Sequence, residues 1–409
     1  MDTMKKRVGW QRKIKVLHLI TRLDKGGSAE NTLLTALGLD KNRYEVLLAK
    51  GPSTESKMGF RERMEVDKSL QIAQSDGVGI INIPKLMRRI DLLYDFISFI
   101  KILKIIRSEK PQIVHTHTSK AGLLGRLAAF VAKTPIIIHT PHGHIFYGYF
   151  GRVTSYLFVL IEKLLAKITD KIISLTNQEG LDHVRLNIAC PEKFISIHSG
   201  VDIQRFISAK PGGDGLKASF GIMPQSLVVG TIGRLVPIKG HEYLIEAAPK
   251  ILKEVPGVKF VLVGDGNLRP KLERLTNALN VQDAFLFLHW RSDIPKIIRM
   301  FDLFTLPSLN EGMGKVLVEA MAAGKAIVAS NTGGIPDLVV HAHNGLLVPP
   351  GNPSRLAEAI VTLLKDSNKR QEMGENGKLL AQRYSVESMV NKTETLYEEL
   401  LAKNGYLQA

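Results

Sequence analysis

The sequence from residue 303 to residue 319 reads LFTLPSLNEGMGKVLVE, and this stretch decides the fold. It opens with a short apolar run, continues through a polar loop with two glycines at 307–314, and resumes at Lys315 with apolar residues at helical spacing. A strand that leads into a glycine loop and then a helix is the unit of a parallel α/β sheet. Because ligands of such sheets bind at the carboxyl ends of strands, this loop is a candidate ligand site.

The same alternation of short apolar runs and longer amphipathic stretches extends over both halves of the chain. It predicts an α/β protein with two Rossmann-like, doubly wound domains. The Pro/Gly-rich tract at 210–215 is typical of a linker. We expect an N-terminal domain at 1–205, a C-terminal domain at 206–384, and a final helix at 385–409 that packs back on the N-terminal domain. Strands are predicted at residues 15–20, 44–49, 80–83, 113–115, 136–139, 171–175, 227–232, 259–263, 285–287, 303–306, 326–329 and 345–348.

Composition excludes several classes of protein. Hydrophobic residues make up 44% and charged residues 23% of the 409-residue chain, which favours a globular protein over a disordered one. The single cysteine, Cys190, cannot form an internal disulfide, and no Cys/His cluster has zinc spacing. No run reaches the ~18 apolar residues that a membrane span needs. These features predict a cytoplasmic protein.

Positive charge is concentrated in the first half. Residues 1–205 carry a net charge of +13, from 32 Lys and Arg against 19 Asp and Glu, whereas residues 206–409 carry +3, from 23 against 20. The first half is therefore expected to contact something anionic. Since the sequence has no nucleic-acid-binding motif, we predict an anionic membrane surface as the partner, and no nucleic acid. A generic basic surface is the alternative.

One segment is a candidate for this membrane contact. It runs through Lys85, Arg88 and Arg89 into a helical pattern at 92–107. Such a stretch can lie in a membrane interface with its cations on lipid phosphates. The alternative is a helix whose apolar stripe packs on its own sheet. The stripe consists of Leu92, Leu93, Phe96, Phe99, Ile100 and Leu103.

Two glutamates belong to the stretch at 303–319. Glu311 lies in the loop, and Glu319 lies about two helical turns further on. Carboxylates suit hydroxyl groups because both oxygens accept hydrogen bonds, so one glutamate can bind a sugar and the other a ribose. The alternative is a capped helix with two surface glutamates.

A second glycine loop reads GTIGRLVPIKG at residues 230–240. It follows a predicted strand, precedes a helix and carries two cations, Arg234 and Lys239. A planar guanidinium and a flexible ammonium together match a diphosphate. The loop is not a Walker loop, because Gly-x4-Gly-Lys-Ser/Thr is absent. An ordinary turn with solvated cations is the alternative. Further glycine turns follow other strands, at Gly26-Gly27, Gly264-Asp265-Gly266 and Gly333-Gly334.

The first half also contains a histidine-rich stretch. A metal site would need carboxylates or cysteines to complete its shell, and none is near these histidines in the sequence. Hydrogen-bonded histidines at the rim of a cleft fit most of them. His142, which lies between Pro141 and Gly143 directly after a predicted strand, is the candidate functional residue. The stretch comprises His115, His117, His139, His142 and His144.

From Ile20 to about Tyr384, these motifs resemble the retaining, GT-B-fold glycosyltransferases of family 4. The matching features are the Gly-Gly pair before a helix, a histidine after a mid-domain strand, Gly-Arg-x4-Lys-Gly and Glu-x7-Glu. Many relatives read Gly-Gly-Ala-Glu, whereas this chain reads Gly-Gly-Ser-Ala-Glu, which leaves Glu30 without an assigned role. The resemblance implies a catalytic set of His142, Arg234, Lys239 and Glu311, and donor contacts from Gly26, Gly27, Arg234, Lys239, Trp290, Arg291, Glu311, Met313, Gly314, Lys315 and Glu319.

The resemblance also implies what each contact does. His142 and Glu311 would contact the donor sugar, Glu319 the ribose, and Arg234 and Lys239 the diphosphate. Backbone N–H groups at 313–315 would bind sugar and phosphate, and residues 290–291 would hold the nucleobase.

The overall reaction follows from the same resemblance. It implies two domains facing a cleft, with the acceptor on the N-terminal one and a nucleotide-diphosphate sugar, UDP-linked, on the C-terminal one. Residues 115–122 and 139–147 resemble bacterial exopolysaccharide and lipid-linked oligosaccharide enzymes, which implies a saccharide or polyprenyl-diphosphate-linked acceptor. A front-face, retaining transfer without metal or cofactor, on the inner face of the cell membrane, is expected. The alternatives are a nucleotide-sugar epimerase, a glycogen-synthase-like enzyme, and a non-catalytic nucleotide-sugar-binding protein.

Overall fold

The computed structural model describes residues 13–24, 26–56, 58–143, 151–209 and 213–406. The charged start of the chain, His144 and residues 210–212 of the Pro/Gly tract lie outside the described residues. The chain divides into two compact units. The first unit comprises the described residues of Met1–Leu175, Glu179–Ile197 and Met389–Ala409, and the second comprises those of Thr176–Gln178 and His198–Ser388.

The first unit is built on a seven-stranded sheet in which every described strand pair is parallel. Its strands are β1 (Ile14–Ile20), β2 (Tyr44–Lys50), β3 (Gly79–Asn82), β4 (Ile113–His117), β5 (Ile136–Thr140), β6 (Lys171–Ser174) and β7 (Phe194–Ser196), in the order β3-β2-β1-β4-β5-β6-β7. The helices are α1 (Gly27–Gly38), α2 (Phe60–Ser75), α3 (Leu92–Glu109), α4 (Ser119–Val131), α5 (Arg152–Lys167) and α6 (Asn177–Arg185), whose first two residues belong to the second unit.

The second unit contains a six-stranded parallel sheet. Its strands are β8 (Val228–Ile232), β9 (Lys259–Val263), β10 (Phe285–Leu288), β11 (Leu303–Leu306), β12 (Ile327–Ser330) and β13 (Gly345–Val348), in the order β10-β9-β8-β11-β12-β13. The helices are α7 (Gln204–Ile207), α8 (Gly213–Ser219), α9 (His241–Glu254), α10 (Arg269–Ala278), α11 (Ile294–Met300), α12 (Lys315–Ala322), α13 (Ile335–Leu338), α14 (Pro353–Lys365) and α15 (Ser367–Ala381). A last helix, α16 (Val386–Lys403), begins in this unit and continues in the first.

These elements follow from the sequence pattern. All five residues of β8 are buried, as expected of a parallel strand with helices over both faces. Side-chain caps mark several helix starts; for example, Asp91 accepts from the N–H of Tyr94 at α3, and Asn352 accepts from that of Arg355 at α14. The predicted α/β class with two Rossmann-like units is confirmed. The strand β7 was not predicted, because its three residues form too short an apolar run.

In both sheets the strand order indicates where a ligand can bind. The strand order reverses next to the first strand of each unit, between β1 and β4 in one and between β8 and β11 in the other. Loops that leave two such neighbouring strands diverge to opposite faces of the sheet and leave a crevice at the carboxyl ends. The loop at 307–314, which leaves β11, therefore borders the crevice of the second unit.

The division of the chain differs from the predicted limits. The chain passes from the first unit to the second between Ile197 and His198, eight residues before the predicted boundary at 205/206. Residues just after Ile197 are held by second-unit partners, since the N–H of Val201 donates to the carbonyl of Tyr384 and Arg299 donates to the carbonyl of Ile207. Such long-range contacts leave no mark in the local sequence.

The apolar stripe of α3 divides between core and surface. Leu103 is buried in the core of the first unit, and Phe99 packs against that core, so these two side chains do not belong to an exposed stripe. The beginning of the helix differs, because Leu92, Leu93 and Phe96 are 85%, 65% and 62% exposed.

Candidate active site

The second unit brings a cation and a carboxylate together at its switch point. Lys239 follows β8 and Glu311 follows β11, and these strands are neighbours in the sheet. Lys239 Nζ lies 2.5 Å from Glu311 Oε2, and Ser308 Oγ donates to the same oxygen over 3.2 Å. The two side chains retain 18% and 13% of their exposure, so the pair is largely shielded from water. The two strongest sequence motifs therefore meet at one point.

Close backbone approach holds these loops in place. A Cβ atom at Gly240, whose φ is +63°, would lie 2.1 Å from the carbonyl oxygen of Pro307. A Cβ atom at Gly333, whose φ is +54°, would lie 2.0 Å from the carbonyl oxygen of Glu311. Any side chain at either position would displace the loop that carries Glu311, so glycine is required at both.

Arg234 completes the positive charge of this site. It is exposed at the end of β8, and its side chain makes no ion pair among the described residues. The Lys239 side chain passes the backbone just before Arg234, because a Cβ at Gly233 would lie 3.8 Å from the Lys239 Cδ atom. The guanidinium is thus available to an anion, whereas the ammonium is shared with Glu311.

The start of α12 contributes backbone donors. Gly314 is its N-cap, with a φ of +73° and no side-chain cap, so the first N–H groups of the helix can bind an anion. Lys315 is the first helical residue, and Glu319 lies one turn later, half-buried. The Met313 side chain is buried and accepts from the backbone N–H of Ser199 through sulfur at 3.1 Å, so it anchors the loop just before α12.

The predicted base-binding residues lie at the end of β10. The Trp290 side chain is 50% exposed, and the backbone N–H of Trp290 donates to Asp265 Oδ2 over 3.0 Å. Arg291 is paired with Asp293 through contacts of 2.8 and 2.9 Å. Asp265 therefore fixes the Trp290 backbone, and sequence reasoning had noted only the glycines that flank Asp265.

In the first unit, hydroxyl groups mark the switch point. Thr21 follows β1 and Thr118 follows β4, and their Oγ1 atoms lie 3.1 Å apart. The helix α1 begins at Gly27, with Gly26 as an N-cap that supplies no side-chain bond. A Cβ atom at Gly27 would meet nothing within 4 Å, so its backbone can be approached closely.

Buried histidines line the carboxyl ends of the neighbouring strands β1, β4 and β5. His18, His115, His117 and His139 are each at most 2% exposed. Burial lowers the pKa of His18 to about 3 and lowers the pKa values of the other three well below their ordinary range. These rings are therefore neutral near pH 7, and each neutral ring has one donor and one acceptor nitrogen.

Three of the described histidines are also spaced as metal ligands could be: His18, His115 and His117. Both nitrogens of His115 are already engaged, with Tyr397 Oη at 2.7 Å and Thr140 Oγ1 at 2.8 Å. A metal ion would have to replace such hydrogen bonds. The sequence argument missed this group, because it required carboxylates or cysteines near the histidines in the chain.

His142 is held in an uncommon backbone conformation. Its φ is +62°, in the left-handed region that non-glycine residues seldom adopt. The N–H of the next residue, Gly143, donates to Glu179 Oε1 over 2.9 Å, and the N–H of Leu175 donates to Glu179 Oε2 over 2.6 Å. Burial raises the pKa of Glu179 to about 7. Sequence reasoning missed Glu179, since an acidic residue in the first turn of a helix is commonplace.

Two family models match the chain. The model for Glycosyltransferase Family 4 matches residues 25–205, and that for glycosyl transferases group 1 matches residues 215–380. The UDP-Gal:alpha-D-GlcNAc-diphosphoundecaprenol alpha-1,3-galactosyltransferase of Escherichia coli is 32% identical over 80% of this chain and 85% of its own length. The chain belongs to the family 4 glycosyltransferases. Another relative of this glycosyltransferase is the capsular polysaccharide biosynthesis glycosyltransferase CapM of Staphylococcus aureus, which is 26% identical over 86% of this chain and 95% of its own.

Solved structures support the fold of this glycosyltransferase. Anabaena Alr3699/HepE in complex with UDP matches with a TM-score of 0.79 at 24% identity, over 94% of this chain and 100% of that one. The sucrose-phosphate synthase of Thermosynechococcus elongatus matches with a TM-score of 0.73 at 20% identity, over 96% and 100%. Both likenesses identify the GT-B fold. No helix in the described part of the glycosyltransferase combines the length and apolar character needed to span a bilayer.

Proposed function

We propose that this glycosyltransferase transfers a hexose from a UDP-sugar to a saccharide carried on polyprenyl diphosphate, with retention of the anomeric configuration. The observation that carries the proposal is the Lys239–Glu311 pair beside the exposed Arg234, at the switch point of the second unit. UDP as the nucleotide is supported by the UDP-bound HepE structure, and the lipid-linked acceptor by the name of the Escherichia coli relative.

The charges of the site suit a diphosphate bound next to a sugar. Arg234 can bind phosphate oxygens with two parallel N–H groups, and Lys239 can bridge a phosphate and the Glu311 carboxylate. The N–H groups at the start of α12 add further donors. Glu311 then accepts from sugar hydroxyls, and Glu319 from the ribose.

The chemistry that follows is a front-face transfer. The bond between the sugar C1 and the diphosphate oxygen breaks, and the cations Arg234 and Lys239 stabilise the departing diphosphate. The acceptor hydroxyl attacks C1 on the same face and gives its proton to the departing phosphate oxygen. No side chain forms a bond to the sugar, and catalysis depends on positioning and on electrostatic stabilisation.

We further propose that the transfer needs neither a metal ion nor a cofactor. The proposed diphosphate site has two cationic side chains and the start of a helix. Together they supply the positive charge that a divalent ion would otherwise give. In the part of the second unit that the structure describes, no three potential ligands are grouped as a metal site.

The first unit offers a surface for a lipid-linked acceptor. The helix α3 packs against α4, and α4 contacts α5. These three helices expose large apolar side chains, and the cations Lys85, Arg88 and Arg89 just before α3 are exposed as well. Apolar side chains beside cations favour docking on an anionic bilayer, so we place the enzyme peripherally on the cytoplasmic face of the membrane. The apolar members of this docking surface are Leu92, Leu93, Phe96, Val153, Tyr156 and Leu157.

The decisive experiment is a donor panel with a defined acceptor. The full chain is incubated with UDP-galactose, UDP-glucose, UDP-N-acetylglucosamine or GDP-mannose and with N-acetylglucosamine on a polyprenyl diphosphate. Proton NMR of the first-formed linkage gives its configuration. An α linkage from one UDP-sugar is expected, and a β linkage would exclude the retaining reaction.

The alternatives give other products in the same assay. An epimerase changes the donor when no acceptor is present, and a glycogen-synthase-like enzyme extends a free glucan in place of the lipid-linked sugar. A non-catalytic protein binds UDP, as a thermal shift would report, but consumes no donor.

A further inference from the structure

One loop of the second unit contacts both loops that are proposed to hold the nucleotide. It follows β9, reads Gly264-Asp265-Gly266, and lies in the middle because β9 is flanked by β8 and β10 in the sheet. The diphosphate loop (residues 233–240) follows β8 and carries Arg234. The base loop (residues 289–291) follows β10 and carries Trp290. Asp265 therefore stands between the residues proposed for the two ends of the nucleotide.

Backbone contacts join Asp265 to the diphosphate loop. The N–H of Leu235 donates to the carbonyl of Asp265 over 2.9 Å. A Cβ atom at Gly264, whose φ is +140°, would lie 2.1 Å from the carbonyl oxygen of Gly233. The two loops thus pack backbone against backbone on either side of Arg234, and any side chain at Gly264 would push them apart.

The carboxylate of the same residue holds the base loop. Asp265 Oδ2 accepts from the backbone N–H of Trp290 over 3.0 Å, and Oδ1 lies 2.6 Å from His289 Nδ1. Burial raises the pKa of Asp265, but the hydrogen bonds from Trp290 and His289 outweigh it, so the pKa lies below its ordinary value. The carboxylate is therefore ionised near pH 7. Because a carboxylate only accepts hydrogen bonds, both nitrogens of the base loop donate to it.

These groups remain open to solvent. The side chains of His289 and Asp265 keep 74% and 39% of their exposure, and that of Trp290 keeps half. Interactions between charged groups this exposed add little to the stability of a fold. What the Asp265 carboxylate mainly determines is the position of the base loop relative to the diphosphate loop.

A nucleoside diphosphate requires that relative position to be fixed. Its base and its diphosphate are joined through the ribose, so contacts with one part strengthen binding of the other only when the geometry allows both at once. A loop that is ordered before binding also avoids the cost of being ordered by the ligand. Asp265 meets both requirements, since its main chain binds one loop and its side chain binds the other.

We propose that Asp265 is a positioning residue that couples the diphosphate loop to the base loop, so that one nucleotide engages both together. The inference rests on the proposed function, because it takes the nucleobase to lie at the base loop. Asp265 itself touches none of the reacting atoms. Its removal is therefore expected to weaken recognition of the base and to leave recognition of the diphosphate intact.

Isothermal titration of the full chain with UDP and, separately, with inorganic pyrophosphate tests this coupling. Asp265→Ala is expected to lower UDP affinity about 10- to 100-fold, the range of a lost charge-assisted hydrogen bond, with pyrophosphate affinity unchanged. Asp265→Asn should lose less, because its amide oxygen can still accept from the N–H of Trp290. The matched control is Asp283→Ala, which removes an exposed carboxylate just before β10, at the opposite end of that strand, and should change neither affinity.

Kinetics add a second readout. In transfer assays Asp265→Ala is expected to raise KM for the donor with little change in kcat, because the base takes no part in breaking the bond at C1. A fall in kcat with unchanged KM would contradict the inference, since it would place the effect at the reacting centre.

The binding outcomes also separate this inference from the proposed function. Equal UDP affinity in the wild type and in Asp265→Ala would contradict the coupling alone. Parallel losses of UDP and pyrophosphate would contradict it too, because Asp265 would then support the whole site and not the base loop. Absence of UDP binding in the wild type would overturn the proposed function together with the inference. If Asp265→Ala fails to fold, Asp265→Asn carries the same test, with the same selective loss at smaller size.

Discussion

The two units of this chain share a topology but fill it with different chemistry. In each sheet the first strand of the unit is the third strand from one edge, and the strand order reverses next to it. In the second unit the loops at that place carry Arg234, Lys239 and Glu311. In the first unit β1 and β4 carry neutral histidines, and the loops after them carry threonine hydroxyls and an Arg22–Asp24 ion pair. The strand order thus fixes where side chains meet, and the residue types fix what they can bind.

The difference has an electrostatic cause. Lys239 is largely shielded from water, and the Glu311 carboxylate in contact with it offsets the cost of burying a cation. His18 and His117 have no carboxylate within ion-pair distance among the described residues, so burial keeps them neutral. The second unit is accordingly suited to an anion such as diphosphate, and the first to uncharged hydroxyl groups.

The largest expected effect comes from removing the cations of the second unit. Replacing Arg234 and Lys239 together by Ala should weaken UDP binding about 10²- to 10⁴-fold, since each charge-assisted hydrogen bond contributes ~1.5–3 kcal/mol. Isothermal titration with UDP measures the loss. The control is Lys250→Ala, which removes an exposed lysine paired with Glu358 in the same unit. Unchanged UDP affinity in the double variant would remove the contrast between the units.

Acid should destabilise the first unit before the second. The four histidines of the first unit have folded pKa values below the unfolded value of 6.5, so below that pH the unfolded chain binds more protons. The free energy of unfolding then falls by up to ~1.4 kcal/mol per pH unit for each. Glu179 opposes this between pH 7 and 4.5, because its folded pKa is raised. The second unit has one histidine whose pKa burial clearly lowers, His241, to about 4.

Hydrogen exchange with mass spectrometry, at pH 7 and pH 5, resolves the two units. Amides of β1, β4 and β5 are expected to lose protection at pH 5 before those of β8 and β11. His241→Gln serves as a control that should leave the first unit unaffected. Earlier opening of the second unit would contradict the electrostatic difference.

Membrane docking should depend on charges of the first unit alone. Changing Lys85, Arg88 and Arg89 together to Glu should release the enzyme from anionic liposomes, because each cation contributes ~1 kcal/mol near such a surface. Cosedimentation at increasing salt measures this, and UDP affinity should be unaffected. The matched control carries the same charge change on exposed residues of the second unit, Lys253, Arg274 and Lys296 to Glu. Equal release by both variants, or equal binding to neutral vesicles, would contradict docking by this surface.

Chelation of metal ions is expected to leave the rate of sugar transfer unchanged, which is the smallest effect predicted here. With the diphosphate neutralised by side chains, transfer is expected to proceed unchanged in EDTA. Because His18, His115 and His117 are buried, metal content of the treated protein is measured alongside the rate. Complete loss of activity that magnesium or manganese restores would contradict the metal-free reaction.

Much of the fold could be predicted from the chain itself. The alternation of apolar runs and helical patterns located twelve of the thirteen described strands, because burial on both faces requires continuous apolar sequence. The Arg234–Lys239 and Glu311–Glu319 motifs were found since glycines, cations and carboxylates stand together over a few residues. Asp265 and Glu179 were not, because each acts on a backbone N–H of a distant segment.

The sequence by itself determined the class of fold, the uneven charge and the residues proposed for the diphosphate site, since each depends on local composition and spacing. Only the tertiary structure decided which of these residues meet. It paired Lys239 with Glu311 through the crossing order of the strands, and it placed His18, His117 and His142 in a hydrogen-bonded series. It also divided α3 between core and surface. Contacts between segments that are far apart in the chain arise from packing, and no local pattern encodes them.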